Sequence, residues 1–390
     1  MSVLQLSRTP ERGRIDQFVG PSQPDDLSRE VYCILGMPVD AIEMPAVLQR
    51  IKAAASSTAP FVISTPNLNF LVSSQADPEF RDTLLLSDLC PTDGTPIVWI
   101  ARLMGVPIKR RIAGSDIFEA LKATHGAGRP FKVFLFGGAE GVAASASKAL
   151  NLEPSGLACV GTMCPGFGTV EEMSRDDIIH MINSSCADFL VAALGAKKGQ
   201  LWLQRNHRRL RIPIRAHLGA TLNFQAGTVE RAPRLLRKLG LEWLWRIKEE
   251  PYLWRRYWND GIVLLRQLVT CVLPLAIWTR WEHLRWSPAR RDLVIQQIQD
   301  DESVTLAVFG AATARHVHKA ISCFRDALVA GKKITVDLSN TRLVDARFLG
   351  LLLMLRKRLK EQQLGFELAG VSPRLKRWFH LNGAGYLLSG

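Results

Sequence analysis

Thr65-Pro66-Asn67 and Thr92-Asp93-Gly94 each stand where an apolar run gives way to a loop. Brought together, they would place one carboxylate beside a hydroxyl and an amide, the make-up of a general base with two orienting groups. Asp93 is therefore the candidate base, with Thr65 and Asn67 as its companions. The same residues also suit plainer duties, since Asp-Gly is a common turn and Thr-Pro-Asn a common strand end. Lys109-Arg110-Arg111-Ile112-Ala113-Gly114-Ser115-Asp116 offers guanidinium groups to a pyrophosphate, with Asp116 able to cap a following helix. A charge run of this kind also serves as a solvated face. Gly137-Gly138 lies between an apolar strand and a helix, where backbone N–H groups can approach a phosphate or ribose. It lacks the GxGxxG spacing of a dinucleotide site, and a tight strand–helix turn explains it equally. The eight histidines form no HExxH pattern and the seven cysteines no CxxC pair. No metal site or cofactor is expected, and the cysteines read as reduced cytosolic thiols.

These residues need a frame. Short apolar runs at 31–35, 61–64, 132–136, 158–161 and 187–194 read as strands, and 41–55, 77–87, 141–150 and 174–184 carry helical spacing. Strands alternating with helices imply an α/β fold, a Rossmann-like parallel sheet covered on both faces. Ligands of such sheets lie at the carboxyl ends of the strands, where Thr65, Asn67, Gly137, Gly138 and Gly195 fall. From 304 onward a second, smaller α/β pattern begins, with strands at 304–309, 333–338 and 365–371 and helices at 313–330, 346–363 and 373–381.

At 390 residues the chain has room for two domains, and 47% apolar residues suffice for sizeable cores. A net charge of +14 calls for an acidic partner: nucleic acid, anionic lipid or a phosphorylated substrate. Nucleic acid is not the expected one, because no recognisable RNA- or DNA-binding module is present. The first thirty residues are polar and contain no apolar stretch, so no signal peptide is expected. Seven of the ten tryptophans fall between 242 and 286, interleaved with Arg246, Lys248, Arg255, Arg256, Arg266 and Arg280. Trp anchors at a membrane interface while each basic residue adds about 1 kcal/mol on anionic lipid. The alternative is a domain-closing helix whose tryptophans pack inward. The apolar part, 262–279, holds Arg266 and Pro274 and is short for a span, so a surface-lying element is expected.

In order, these pieces resemble the TagA/WecG/CpsF glycosyltransferase family from about residue 31 to 260. The resemblance is carried by Gly36-Met37-Pro38-Val39-Asp40, Thr65-Pro66-Asn67, Asp93-Gly94, Arg111-Ile112-x-Gly114-x-Asp116 and Gly137-Gly138. It continues through Gly219-Ala220-Thr221, Ala226-Gly227, Arg231-Ala232-Pro233, Gly240-Leu241-Glu242-Trp243-Leu244, Glu250-Pro251 and Arg256-Tyr257. It implies an inverting transfer of a hexosyl or N-acetylhexosaminyl group from a UDP-sugar to a polyprenyl-diphosphate-linked sugar. The enzyme would be peripheral, on the cytoplasmic face of the inner membrane, in exopolysaccharide or envelope-glycan synthesis. Asp93 matches the proposed base, with Thr65 and Asn67 flanking it. Arg111, Gly137, Gly138, Gly195 and Gln200 are expected at the donor phosphates. Arg246, Arg255 and Arg256 are expected in a membrane-docking appendage that completes the site. The chain departs from the family pattern at Gly199, Asn223 and Leu253, which keeps a rival reading open: a catalytically degenerate, membrane-associated scaffold. A dinucleotide oxidoreductase is a third reading, without the glycine fingerprint.

The C-terminal part resembles a STAS domain of the anti-sigma-factor-antagonist type, through Ile334-Thr335-Val336-Asp337-Leu338-Ser339 and Val344-Asp345-Ala346-Arg347-Phe348-Leu349-Gly350. Ala346 stands where regulated members carry a phosphorylatable Ser, which points to protein docking or intramolecular regulation instead of a kinase switch. The expected division is a flexible leader (1–30), a glycosyltransferase domain (31–240), a Trp/Arg-rich membrane-associating appendage (241–286), a linker (287–302) and a STAS-like domain (303–390).

Overall fold

The computed structural model describes residues 25–57, 59–124, 129–152, 156–285 and 292–389. An antiparallel hairpin comes first, β1 (Val31–Ile34) and β2 (Met37–Asp40). Five strands then build one wholly parallel sheet: β3 (Phe61–Ile63), β4 (Phe131–Gly137), β5 (Leu157–Met163), β6 (Phe189–Ala193) and β7 (Ile214–His217). Their spatial order is β3-β7-β6-β4-β5. Alternation along the strands divides the side chains between two apolar layers. Val133, Leu135, Phe189 and Val191 join one cluster with helices Met44–Ala55, Gly114–Lys122 and Val142–Asn151. Phe134, Phe136, Leu190 and Ala192 face the other, under helices Asp176–Ser184 and Ala196–Arg205. A sheet buried on both faces is what continuous apolar strands dictate.

A second sheet holds β8 (Leu293–Gln299), β9 (Ser303–Ala312), β10 (Lys333–Asp337), β11 (Thr341–Val344) and β12 (Phe366–Ala369). Its order is β11-β9-β10-β12, with β8 antiparallel on β9. The stretch read as a linker therefore contains a strand. β8 exposes most of its residues, including Val294 and Ile298, so it shows little of the periodicity that marks a half-buried strand. The leader is corrected too. Residues 1–24 lie outside the described residues, but Asp26, Leu27 and Arg29 are buried.

The two sheets do not belong to separate globules. Helix Ala346–Glu361 buries one side on the C-terminal sheet and the other on the N-terminal hairpin. Arg347 donates to the carbonyls of Val31 (3.1 Å) and Arg29 (2.9 Å). Gly350 lies so close to Val31 that no Cβ fits between them. Lys357, with no exposed surface, binds Asp88 (2.6 Å) and Asp26 (3.1 Å). Tyr386 donates its hydroxyl to the Gly36 carbonyl (2.9 Å). Leu27, Val31, Cys33 and Leu85 thus share one core with the C-terminal domain.

From Trp254 to Arg285 the chain is helical throughout, with a π turn at Leu268–Val272. Pro274 lacks the N–H that would close the regular bond, and the π turn just before it absorbs the misfit. The segment Pro251–Arg280 is long and apolar enough, by length and composition, to cross a membrane. It is longer than the apolar run alone suggests. Its inner face packs on both domains: Val272 joins the core of helices Leu68–Ala76 and Thr95–Leu103, and Leu275 joins the C-terminal core. Asp260 accepts from Asn69, and Gln267 binds Gln75, on the same face. Trp254, Trp258, Ile262, Leu265, Val269, Leu273 and Ile277 are exposed, at intervals of three and four residues that align them in one stripe.

Candidate active site

β3 ends at Ile63, and the chain leaves its carboxyl end through Ser64 and Thr65, both buried. Asn67 starts helix Leu68–Ala76 by accepting the N–H of Phe70 (3.2 Å). The Asp93 N–H donates to the Pro66 carbonyl (2.9 Å), which ties the Asp93 backbone to the Thr65-Pro66-Asn67 segment. Gly94, at φ +103°, makes the turn that a side-chain-bearing residue would resist. The Ile112 N–H then donates to the Thr92 carbonyl (2.7 Å), drawing the basic loop alongside. Helix Gly114–Lys122 begins there, and the Gly114 amide points at the Asp93 carboxylate. Asp116 caps this helix from within, its carboxylate taking the Ala113 N–H (3.3 Å).

Arg111 Nη1 stands 3.9 Å from Asp93, and its Nη2 is 2.6 Å from Glu242. Arg231 pairs with Asp116 and Ser115. Partial burial, with only 25% of the side chain exposed, pushes the Asp93 carboxyl up to about 7; Arg111 opposes the rise, and Glu242 and Asp116 add to it. A carboxylate that titrates near neutrality, held by one backbone amide and facing a guanidinium, can accept a proton from a hydroxyl beside it.

The glycine turns lie at neighbouring strand ends. Gly137 ends β4 at φ +104°, where a Cβ would stand 2.5 Å from the Ala193 carbonyl oxygen, so β4 and β6 can close only over glycine. Gly138 donates its N–H to that carbonyl (2.8 Å). Gly195, at φ +82°, precedes helix Ala196–Arg205 with open space above it. Gln200 does not join this group. Its side chain is buried, accepts from Ser64 Oγ (3.0 Å) and borders a cavity of about 350 Å³ between the domains. Arg246 is engaged within the appendage by Glu250, while Arg255 and Arg256 lie over the rings of Trp254 and Tyr257. Among the described residues no cluster of three or more His, Cys, Asp or Glu has the arrangement of a metal site.

Two residues matter here that sequence reasoning had not singled out. Glu242 appeared only inside a longer motif; its position at the start of an amphipathic helix gives no sign of a partner 131 residues away. His217 ends β7 and fills the space beside Gly199, whose missing side chain leaves room for the imidazole. Burial pushes its pKa down to about 4, so it is neutral.

A parallel sheet with glycine turns and a perturbed carboxylate at its carboxyl ends has the make-up of an α/β enzyme site. The model of the Glycosyl transferase WecG/TagA/CpsF family matches residues 32–275, and the chain belongs to that family and is a glycosyltransferase. Residues 295–389 match a second family, described as Mlab, STAS domain, and form a STAS domain. The N-acetylglucosaminyldiphosphoundecaprenol N-acetyl-beta-D-mannosaminyltransferase of Bacillus spizizenii is 27% identical over 214 residues, 54% of this chain and 77% of that protein. Its counterpart from Bacillus subtilis is 25% identical over 218 residues, 56% of this chain and 80% of that protein. The C-terminal part is similar to the solved structure of the Bacillus cell fate determinant SpoIIAA in the phosphorylated form, at 20% identity and a TM-score of 0.22. That match covers 24% of this chain and 88% of the other.

Proposed function

We propose that this enzyme moves a sugar, with inversion, from a UDP-sugar to a sugar carried on polyprenyl diphosphate. The observation that carries the reading is Asp93: a carboxylate pushed up to about 7, tied by its N–H to Pro66 and facing Arg111. The names of the two Bacillus relatives support the acceptor class. In the reaction Asp93 takes the proton of the acceptor hydroxyl as its oxygen attacks the anomeric carbon. The bond from that carbon to the diphosphate breaks on the opposite face, and Arg111 offsets the charge on the departing UDP. Gly195, with open space above it, leaves room for the donor at the strand ends beside the Gly137-Gly138 turn.

A lipid-linked acceptor requires the enzyme to work at a membrane, and the exposed stripe from Trp254 to Ile277 is suited to lie in its surface. Only 22% of the most apolar window of this helix is buried, while Asp260 and Gln267 tie its inner face to the protein. That arrangement favours a helix lying on the bilayer over one crossing it. Arg255 and Arg256, both exposed, would meet anionic headgroups at the cytoplasmic face. The STAS domain uses helix Ala346–Glu361 on its own catalytic domain. This favours intramolecular regulation over recruitment of another protein through that helix.

The test is UDP release from a panel of UDP-sugars with a short-chain polyprenyl-diphosphate-sugar acceptor, comparing wild type with Asp93→Asn. Acceptor-dependent turnover that collapses in the variant supports both the reaction and its base. Turnover that survives the substitution removes Asp93 from the mechanism. No turnover with any donor, from folded and membrane-bound protein, favours the scaffold.

A further inference from the structure

The candidate base has a neighbour from outside its own domain core. Gly240, at φ +76°, closes the turn after helix Arg234–Leu239. A Cβ there would stand 2.6 Å from Thr95 Oγ1, and Thr95 follows the Asp93-Gly94 turn directly. The corner from which the appendage starts therefore rests on the turn that carries Asp93. Two residues on, Glu242 opens helix Glu242–Glu249 and binds Arg111 at 2.6 Å, with both side chains less than one-fifth exposed. A parallel clasp joins Arg231 to Asp116 and Ser115. By formal charge, three carboxylates (Asp93, Asp116 and Glu242) face two guanidinium groups. A diphosphate entering this ring meets net negative charge, and its nearest cation is already taken.

We propose that Glu242 stands in for the donor diphosphate: it latches the appendage over Asp93 in the empty enzyme and releases Arg111 when the diphosphate arrives. The proposal rests on the reading of Arg111 as the diphosphate's cation. The guanidinium fork accepts a carboxylate or a phosphate by the same bidentate geometry, so the two anions compete for one group. Helix Glu242–Glu249 is built to let go, because none of its residues is buried. Releasing it exposes little apolar surface, which places it among the segments that open at low cost. Linkage then requires reciprocity. Whatever factor Glu242 takes from donor affinity, bound donor takes from closure of the appendage.

The experiment is a UDP titration of the full chain as wild type, Glu242→Gln and Arg111→Gln, with amide hydrogen exchange followed over residues 241–250. Glu242→Gln should bind UDP about five- to tenfold more tightly, the lower range of measured couplings, and Arg111→Gln more weakly. UDP should speed exchange over 241–250 in wild type, whereas in Glu242→Gln exchange should already be fast without it. Mere damage to the fold would weaken binding, so tightening separates a latch from a structural prop. Equal or weaker UDP binding by Glu242→Gln, with Arg111→Gln still deficient, overturns the latch. If wild type binds no UDP, the donor reading falls, and inorganic pyrophosphate then tests the latch alone. Tighter pyrophosphate binding by Glu242→Gln supports it, and indifference overturns it.

Discussion

Asp93 is held where its ionised form is costly. Its folded pKa of about 7 lies above the ordinary value of 3.8. The folded state therefore binds more protons than the unfolded chain between those values, and stability falls as pH rises through that window. The penalty is complete above pH 7 and absent below about 4. Asp93→Asn should accordingly be more stable than wild type at pH 8, by about 1–3 kcal/mol after allowing for its partial exposure, and indistinguishable near pH 4. Denaturant titrations at the two pH values check this. The same shift predicts that wild-type turnover climbs with pH through about 7 as the base ionises. A flat profile from pH 5 to 8 would remove Asp93 from that role. Gly199 invites a second test at this scale. Alanine is the better helix former by about 1 kcal/mol, yet Gly199→Ala should destabilise the enzyme by about 1–3 kcal/mol, because its methyl group meets the His217 ring. The departure from the family pattern at Gly199 is thus matched by its neighbour. That the segments of Thr65-Pro66-Asn67 and Asp93 meet, at the Asp93–Pro66 backbone bond, was legible because each segment ends an apolar run. The seating of His217 was not, because nothing near it in sequence names its neighbour.

Among the elements, the helix from Trp254 to Arg285 carries the proposed contact with the membrane. Its Trp/Arg composition was plain in the sequence, but composition cannot tell an inner from an outer face when both are apolar. The structure separates them: Val272 and Leu275 face the cores, and Ile262, Leu265 and Val269 face outward. Replacing these three outward residues with Glu should lower co-sedimentation with anionic vesicles by at least about tenfold, since each buries an apolar side chain worth about 1.5–3 kcal/mol in the interface. The melting temperature should hardly move. Unchanged vesicle binding would refute the membrane role of the stripe. Deleting residues 240–286 is a poorer test, because it also strips Val272 and Leu275 from the cores. Strand β7 was hidden for a different reason. Arg215 and His217 make Ile214–His217 look polar, yet all four residues are buried. Arg215 is tolerated there because it donates to the carbonyls of His207, Leu210 and Ile212.

For the whole molecule, the seam between the two domains includes charged groups buried as deeply as a core. Lys357 is the telling residue, a fully buried cation between Asp26 and Asp88. Lys357→Met leaves Asp88 without its ammonium partner and Asp26 with Arg29 alone, and should cost about 3–5 kcal/mol. The loss should appear across one cooperative unfolding transition monitored by both near- and far-ultraviolet circular dichroism. Two separate transitions in wild type would show that the domains are stable alone. Ala346, too, packs against the core of the catalytic domain, so that position is partly covered by the rest of the chain.

The sequence by itself determined the alternation of strands and helices, the STAS pattern and the Trp/Arg character of the appendage. Each of these is a local property, written in spacing along a few turns or strand residues. Only the tertiary structure decided that Glu242 takes Arg111, that Gln200 lies under β3, and that helix Ala346–Glu361 closes over the N-terminal hairpin. Those pairings join residues from 131 to more than three hundred positions apart. Local periodicity shows that a face must be buried; the path of the chain settles what buries it.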